Sequence, residues 1–158
     1  MNFHSEMAQL ITDVQATTAG RRLLAACLLM PQDFTTARQV AKHLKIPYST
    51  LLSRCARRGL TSPRRLLAVG RLGYAINFLG QRPDERQIVA SQRYHYSSPQ
   101  SLGRTARSLT GFTAGGLTLH ADQSIILNLI RRRLDGPWAD FWPDRPGRPG
   151  RPRKELGR

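Results

Sequence analysis

The chain predicts an all-α fold of about seven helices. They form two helix-turn-helix subdomains joined by a long linking helix, and a disordered basic tail follows. Three observations carry this reading. Apolar residues recur at helical spacing in several segments between residues 19 and 134. Helix starts are marked by a capping hydroxyl before a proline, at Ser62-Pro63 and again at Ser98-Pro99. A pattern of residues also repeats after an interval of fifty.

Residues 1–18 read as an N-terminal arm, in which residues 7–14 predict a weak helix. Residues 19–30, AGRRLLAACLLM, are strongly apolar and stop at Pro31. This is a core helix that packs behind the first unit, and residues 31–35 are a loop. The next helix covers residues 37–44, with Val40, Ala41 and Leu44 on one face. Thr36 caps it, and Gln39 stands three residues later, where a capping-box partner belongs. Lys45-Ile46-Pro47 breaks the pattern, since proline biases the preceding residue away from helix. A second amphipathic segment runs over residues 48–58. Leu51, Leu52 and Cys55 point inward, and Ser49, Thr50, Ser53, Arg54 and Arg57 outward. Ala41 is small where the two helices must approach.

Ser62-Pro63 opens the linking helix, residues 63–79, with Leu66, Leu67, Val69, Ala75, Phe78 and Leu79 as its apolar surface. Gly70 and Gly73 weaken it by about 1 kcal/mol each relative to alanine, which close packing offsets, and Gly80 ends it. Asp84 with Gln87 repeats the cap-plus-three spacing and starts a short helix through Ser91. Residues 93–97 are the next turn. Ser98-Pro99 starts a helix through Leu109, which Thr110-Gly111 ends. Shifted by fifty, Leu52 falls on Leu102, Arg54 on Arg104, Arg57 on Arg107 and Ala41 on Ser91. Residues 112–119 are rich in glycine and threonine. Residues 121–134 form a last helix with Ile125, Ile126, Leu129, Ile130 and Leu134 on one side. Arg131, Arg132 and Arg133 suit the negative end of its dipole. The boundaries are therefore an arm at 1–18, a tandem domain at 19–120, a C-terminal helix at 121–136 and a tail at 137–158.

Lys and Arg number 25 against 10 Asp and Glu, a net charge of +15 in 158 residues. Such a charge calls for an anionic partner or strong solvation, and nucleic acid is the commonest partner. The carboxylates are dispersed, with no Ser/His/Asp set and no phosphate loop, so no enzyme is expected. His4, His43, His95 and His120 are scattered and no Cys/His spacing suggests zinc; no metal or cofactor is expected. Cys27 and Cys55 lie on apolar faces and read as buried thiols in a reducing compartment. The longest apolar run, residues 23–30, is too short to span a membrane, and no signal peptide is evident. A cytoplasmic, nucleoid-associated protein is expected.

The arrangement resembles the DNA-binding domain of the bacterial AraC/XylS-type transcription regulators. VAKHLKIPYSTLLSRCARR, residues 40–58, resembles the first helix-turn-helix. LTSPRRLLAVGRLGYAINFL, residues 60–79, resembles the linking segment, with Ser62, Pro63, Arg71, Ala75 and Leu79 in place. SQRYHYSSPQSLGRTARSLTG, residues 91–111, resembles the second unit through Tyr96, Leu102, Arg104 and Gly111. The family's glycine in the second turn is His95 here, and its late aromatics are replaced by Cys55 or Ala56 and by Ala106. The closing proline–aromatic–arginine pattern is Ala114, Leu117 and Thr118. The usual effector domain is not seen. The tail, through Gly147-Arg148-Pro149 and Gly150-Arg151-Pro152-Arg153-Lys154, resembles an AT-hook. Such a hook lies in the narrow minor groove of A·T-rich DNA.

The resemblance implies sequence-specific binding of double-stranded DNA, as a monomer on tandem half-sites or as a weak dimer. The two second helices would enter successive major grooves about 34 Å apart. The first offers Tyr48, Ser49, Thr50, Ser53, Arg54 and Arg57; the second offers Ser97, Ser98, Gln100, Ser101, Arg104 and Arg107. Arg54 and Arg104 suit guanine and Gln100 adenine, while Arg57 and Arg107 suit phosphate. Most discrimination is expected in residues 48–57. In the tail, Arg148, Arg151 and Arg153 would follow the minor groove or grip phosphates without sequence preference. Trp138, Phe141 and Trp142 could instead dock on the domain or contact RNA polymerase. A rival reading is an architectural, nucleoid-type protein with little sequence preference.

Overall fold

The computed structural model describes residues 2–119 and 123–141. Among the described residues every regular element is helical. In order they are α1 (Phe3–Asp13), α2 (Thr18–Leu28), α3 (Ala37–Leu44), α4 (Tyr48–Arg57), α5 (Pro63–Gln81) and α6 (Gln87–Arg93). Then come α7 (Pro99–Thr110), α8 (Ala114–Leu119) and α9 (Ser124–Leu134). A 3-10 turn, Pro31–Asp33, lies between α2 and α3, and another, Trp138–Asp140, follows α9. The all-α reading holds, with nine α-helices among the described residues where about seven were expected.

Local signals account for most helix starts. Thr36 Oγ1 accepts from the Gln39 N–H, Ser62 Oγ from Arg65 and Ser98 Oγ from Ser101. Gln39 reaches back as a capping-box residue would, but its Oε1 accepts from the Thr35 N–H at 2.6 Å, one residue before the cap.

The fold is built round α5. Leu66, Leu67, Val69, Leu72, Ala75 and Ile76 on its several sides are all buried, the pattern of a helix enclosed by others. It packs against α2, α3, α4, α6, α7, α8 and α9. Its two glycines permit this. A Cβ on Gly70 would stand 2.2 Å from the Cys27 carbonyl oxygen, so α2 crosses there with backbone against backbone. A Cβ on Gly73 would meet the Phe3 ring at 2.8 Å and Ile126 Cγ2 at 3.1 Å, so α1 and α9 close over that point. Both glycines hold the close-packing role expected of them.

Several expectations change. The weak N-terminal helix is a full one: Asn2 caps α1, and Phe3, Met7 and Ile11 enter the common core. His4 Nδ1 lies 2.7 Å from the Tyr74 hydroxyl, tying α1 to α5. α5 runs past Gly80 to Gln81. Asp84 is not a cap: α6 begins at Gln87 after Arg86, with no side-chain cap bond. Residues 114–119, with two glycines, nevertheless form α8. Thr113 Oγ1 accepts from Gly116, and Ala114 and Leu117 are buried. α9 starts at Ser124, after Gln123 in a left-handed conformation. Its buried face is Ile126, Leu127, Ile130 and Leu134, with Ile125 and Leu129 half-buried.

Candidate nucleic-acid interface

α3 with α4 and α6 with α7 form two helix-turn-helix hairpins, each packed on α5. Their turns repeat in detail. The Lys45 N–H donates to the Lys42 carbonyl at 3.1 Å, and the His95 N–H to Gln92 at 3.5 Å. The Ile46 N–H donates to Ala41 at 3.0 Å, and the Tyr96 N–H to Ser91 at 2.8 Å. All four partners match at an interval of fifty. Lys45 and His95 both take the left-handed conformation, the usual way to end a helix with a bond back across its last turn. Ala41 and Ser91 are both buried; Ser91 can be, since its hydroxyl donates to the Gln87 carbonyl.

Past the turn the interval becomes fifty-one. α4 starts three residues after Lys45, whereas α7 starts four after His95. The buried pair of α4 is Leu51 and Cys55, and that of α7 is Leu102 and Ala106. Leu102 therefore answers Leu51, not Leu52, and Arg104 answers Ser53, not Arg54. At about 100° per residue, Ser53 and Arg104 are the outermost positions of their helices, with Ser49 and Gln100 beside them. Arg54 stands on the flank of α4.

The remaining candidate side chains fit this register. In the first unit Ser49 and Arg57 are exposed, while Tyr48, Thr50, Ser53 and Arg54 are half-buried. In the second Ser97, Gln100, Arg104 and Arg107 are exposed, and Ser101 is half-buried. Ser98 uses its hydroxyl as the α7 cap. Arg148, Arg151 and Arg153, the whole hook-like stretch and Trp142 lie outside the described residues.

Two polar links tie α5 and the second turn to the segment that precedes α3. The Arg71 guanidinium donates through Nη2 to the carbonyls of Phe34 and Thr35, just before α3. Tyr96, from the second turn, is its electrostatic neighbour. Burial lowers the pKa of Arg71, with Tyr96 acting in the opposite sense. Burial raises that of the Tyr96 phenol, against the pull of Arg71. The Arg71 Nε and the Tyr96 hydroxyl are buried without a hydrogen-bond partner. His95 supplies the second link, its Nε2 donating to the Gln32 carbonyl before the first unit. The sequence marked Arg71 by resemblance alone. The pairing of His95 with Gln32 spans sixty-three positions and has no local signature.

Trp138 and Phe141 do not face outward. Trp138 and Phe141 are fully buried, and the Trp138 carbonyl accepts from the Thr17 N–H at 3.3 Å. The Trp138 backbone thus meets the start of α2, and both rings belong to the common core. The cysteines are buried as expected. The Cys27 thiol lies 3.8 Å from the Pro63 carbonyl. Burial, then Cys55, pushes the Cys27 pKa up against a smaller pull from Arg71. Burial raises that of Cys55 to about 11. Among the described residues no helix is long and apolar enough to cross a membrane.

Comparison with protein-family models, curated proteins and solved structures finds no match for this chain.

Proposed function

We propose that the chain binds double-stranded DNA as a tandem helix-turn-helix reader, a transcription regulator of the AraC/XylS type. One observation carries the proposal. The turn geometry at Lys45 recurs at His95, and each turn is followed by a helix whose outer face holds hydroxyls and arginine. A net charge of +15 supplies the attraction to phosphate that such a reader needs. The polar links of Arg71 and His95 support a fixed relation between the two units, which reading two successive grooves requires.

The register assigns the roles. In α4 the outer face is mostly small and hydroxylic, Ser49 and Ser53, with Arg57 one turn on. In α7 the outermost side chains are Gln100 and Arg104, which match adenine and guanine edges. Base discrimination therefore rests more on α7 than on α4, the reverse of the ranking drawn from the sequence. Arg57 and Arg107 take phosphates. The tail arginines Arg148, Arg151 and Arg153 add salt-sensitive affinity.

Binding of a selected duplex and of point-substituted duplexes by fluorescence anisotropy tests this. Arg104→Ala should cost about 1–3 kcal/mol of base preference, and Arg54→Ala less. The opposite order would reject the assignment of roles. Equal binding to all duplexes, with bending, would instead favour the architectural alternative.

A further inference from the structure

Between the start of α3 and the first turns of α5 lies an open cavity of about 480 Å³. Thr36, Arg38, Tyr48, Arg64, Leu67 and Arg71 are among the residues that line it, and no acidic residue does. It brings Arg38, Arg64 and Arg71 to one concave surface, and the base-reading roles above use none of the three. We propose that this cavity is a binding site for a phosphate group, held by Arg38, Arg64 and the start of α3. The phosphate comes either from the DNA backbone beside the groove that α4 enters or from a free phosphorylated small molecule.

Each part has a cause. The Arg38 guanidinium carbon lies 4.6 Å from the centre of the Tyr48 ring, which presents a flat cation while leaving its N–H edges for an anion. Arg64 stands in the first turn of α5, one residue after Pro63, and is exposed on the other side of the cavity. Arg71 is committed to the Phe34 and Thr35 carbonyls, so it anchors the chain where α3 begins and adds charge beneath the site. Thr36 takes the N–H of Gln39. The N–H groups of Ala37 and Arg38, in the same first turn, have no acceptor within the helix. These donors, the positive end of the helix dipole and two arginine forks are the chemistry that binds phosphate. The volume admits a phosphate with an attached sugar.

The choice between the two sources rests on the DNA-binding reading; the site itself does not. The test is a titration of the intact, isotope-labelled protein with inorganic pyrophosphate at constant ionic strength, following backbone amide shifts. Saturable shifts at Ala37 and Arg38 are expected. The R38Q/R64Q double variant should keep its melting temperature and bind pyrophosphate about tenfold more weakly, the loss of one charge-assisted bond or more. An R21Q/R132Q variant has the same net charge, with both changes at exposed positions outside the cavity; it should bind as the parent does. Absence of saturable shifts at these amides, or equal weakening in both variants, overturns the proposal. Adding duplex separates the sources. If pyrophosphate competes with duplex, and the logarithmic salt slope of DNA binding falls by about one per lost phosphate contact in R38Q/R64Q, the site takes a backbone phosphate. If duplex and pyrophosphate bind independently, it takes a free phosphorylated molecule. Saturable pyrophosphate binding by a protein that binds no duplex would refute the DNA reading and leave the site standing.

Discussion

Lys45 and His95 stand fifty residues apart and hold one backbone conformation, with φ of 57° and 62°, at the same point of two turns. Neither is glycine, although a left-handed conformation costs a residue with a Cβ about 1–2 kcal/mol. Strain of the same kind, at the same place, marks a repeated structural unit more firmly than repeated residue types do. The two differ in what each gains. His95 donates to the Gln32 carbonyl and links the second turn to the 3-10 turn before the first unit. The Lys45 side chain is exposed.

Lys45→Gly should therefore stabilise the protein by about 1 kcal/mol, a rise in melting temperature of roughly 2–4 °C. His95→Gly relieves the same strain but loses its bond to Gln32, so it should gain less by about the worth of a hydrogen bond, 1 kcal/mol. Thermal melts of the two variants check this. Equal gains would mean that the His95 link contributes nothing.

Gly70 and Gly103 make a second contrast. A Cβ at Gly70 would strike the Cys27 carbonyl, while at Gly103, inside α7, it would meet nothing within 4 Å. Gly70→Ala should destabilise by about 3 kcal/mol through forced separation of α2 and α5. Gly103→Ala should stabilise by up to about 1 kcal/mol, the difference in helix propensity. Denaturant titrations of both would expose the error if Gly70→Ala proved neutral.

How much could be read in advance follows from how local each cause is. The caps at Thr36, Ser62 and Ser98 were legible because a cap and its partner lie three residues apart. Asp84 failed because the chain at 82–85 forms a turn, with Glu85 N–H donating to the Arg82 carbonyl, and the helix waits until Gln87. α8 has two glycines against it and forms because Ala114 and Leu117 are buried by distant elements. The change of interval from fifty to fifty-one was hidden because an arginine-rich chain offers coincidental Arg–Arg matches. Burial of Leu51 and Leu102 sets the true register. Trp138 and Phe141 sit where the composition changes toward the tail, yet their apolar area draws them into the core. The helices α4 and α7 and their polar faces were legible; the cavity of Arg38, Arg64 and Arg71 was not, since α3, α4 and α5 together form its lining.

Alkaline pH should loosen the fold. Burial raises the Cys55 thiol from its ordinary 9.0 to about 11. Burial, then Tyr94, raises the Tyr74 phenol from 10.0 to about 12. A pKa raised by folding contributes stability that is complete below the unfolded value and disappears as pH rises through the folded one. Stability should thus be level with respect to these two groups below pH 9.0 and fall between there and about 12. Urea midpoints at pH 9 and pH 11 measure the fall; an unchanged midpoint would contradict the burial of both groups. For the same reason Cys55 should resist alkylation until the protein unfolds.

The most direct measurement of the central claim is selection of bound duplexes from a random pool, followed by sequencing. Two enriched elements are predicted, their centres about one helical turn, roughly 10 base pairs, apart. The element read by α7 should be sharper and lose its guanine preference in Arg104→Ala. Enrichment of a single element, or of none, would contradict a tandem reader.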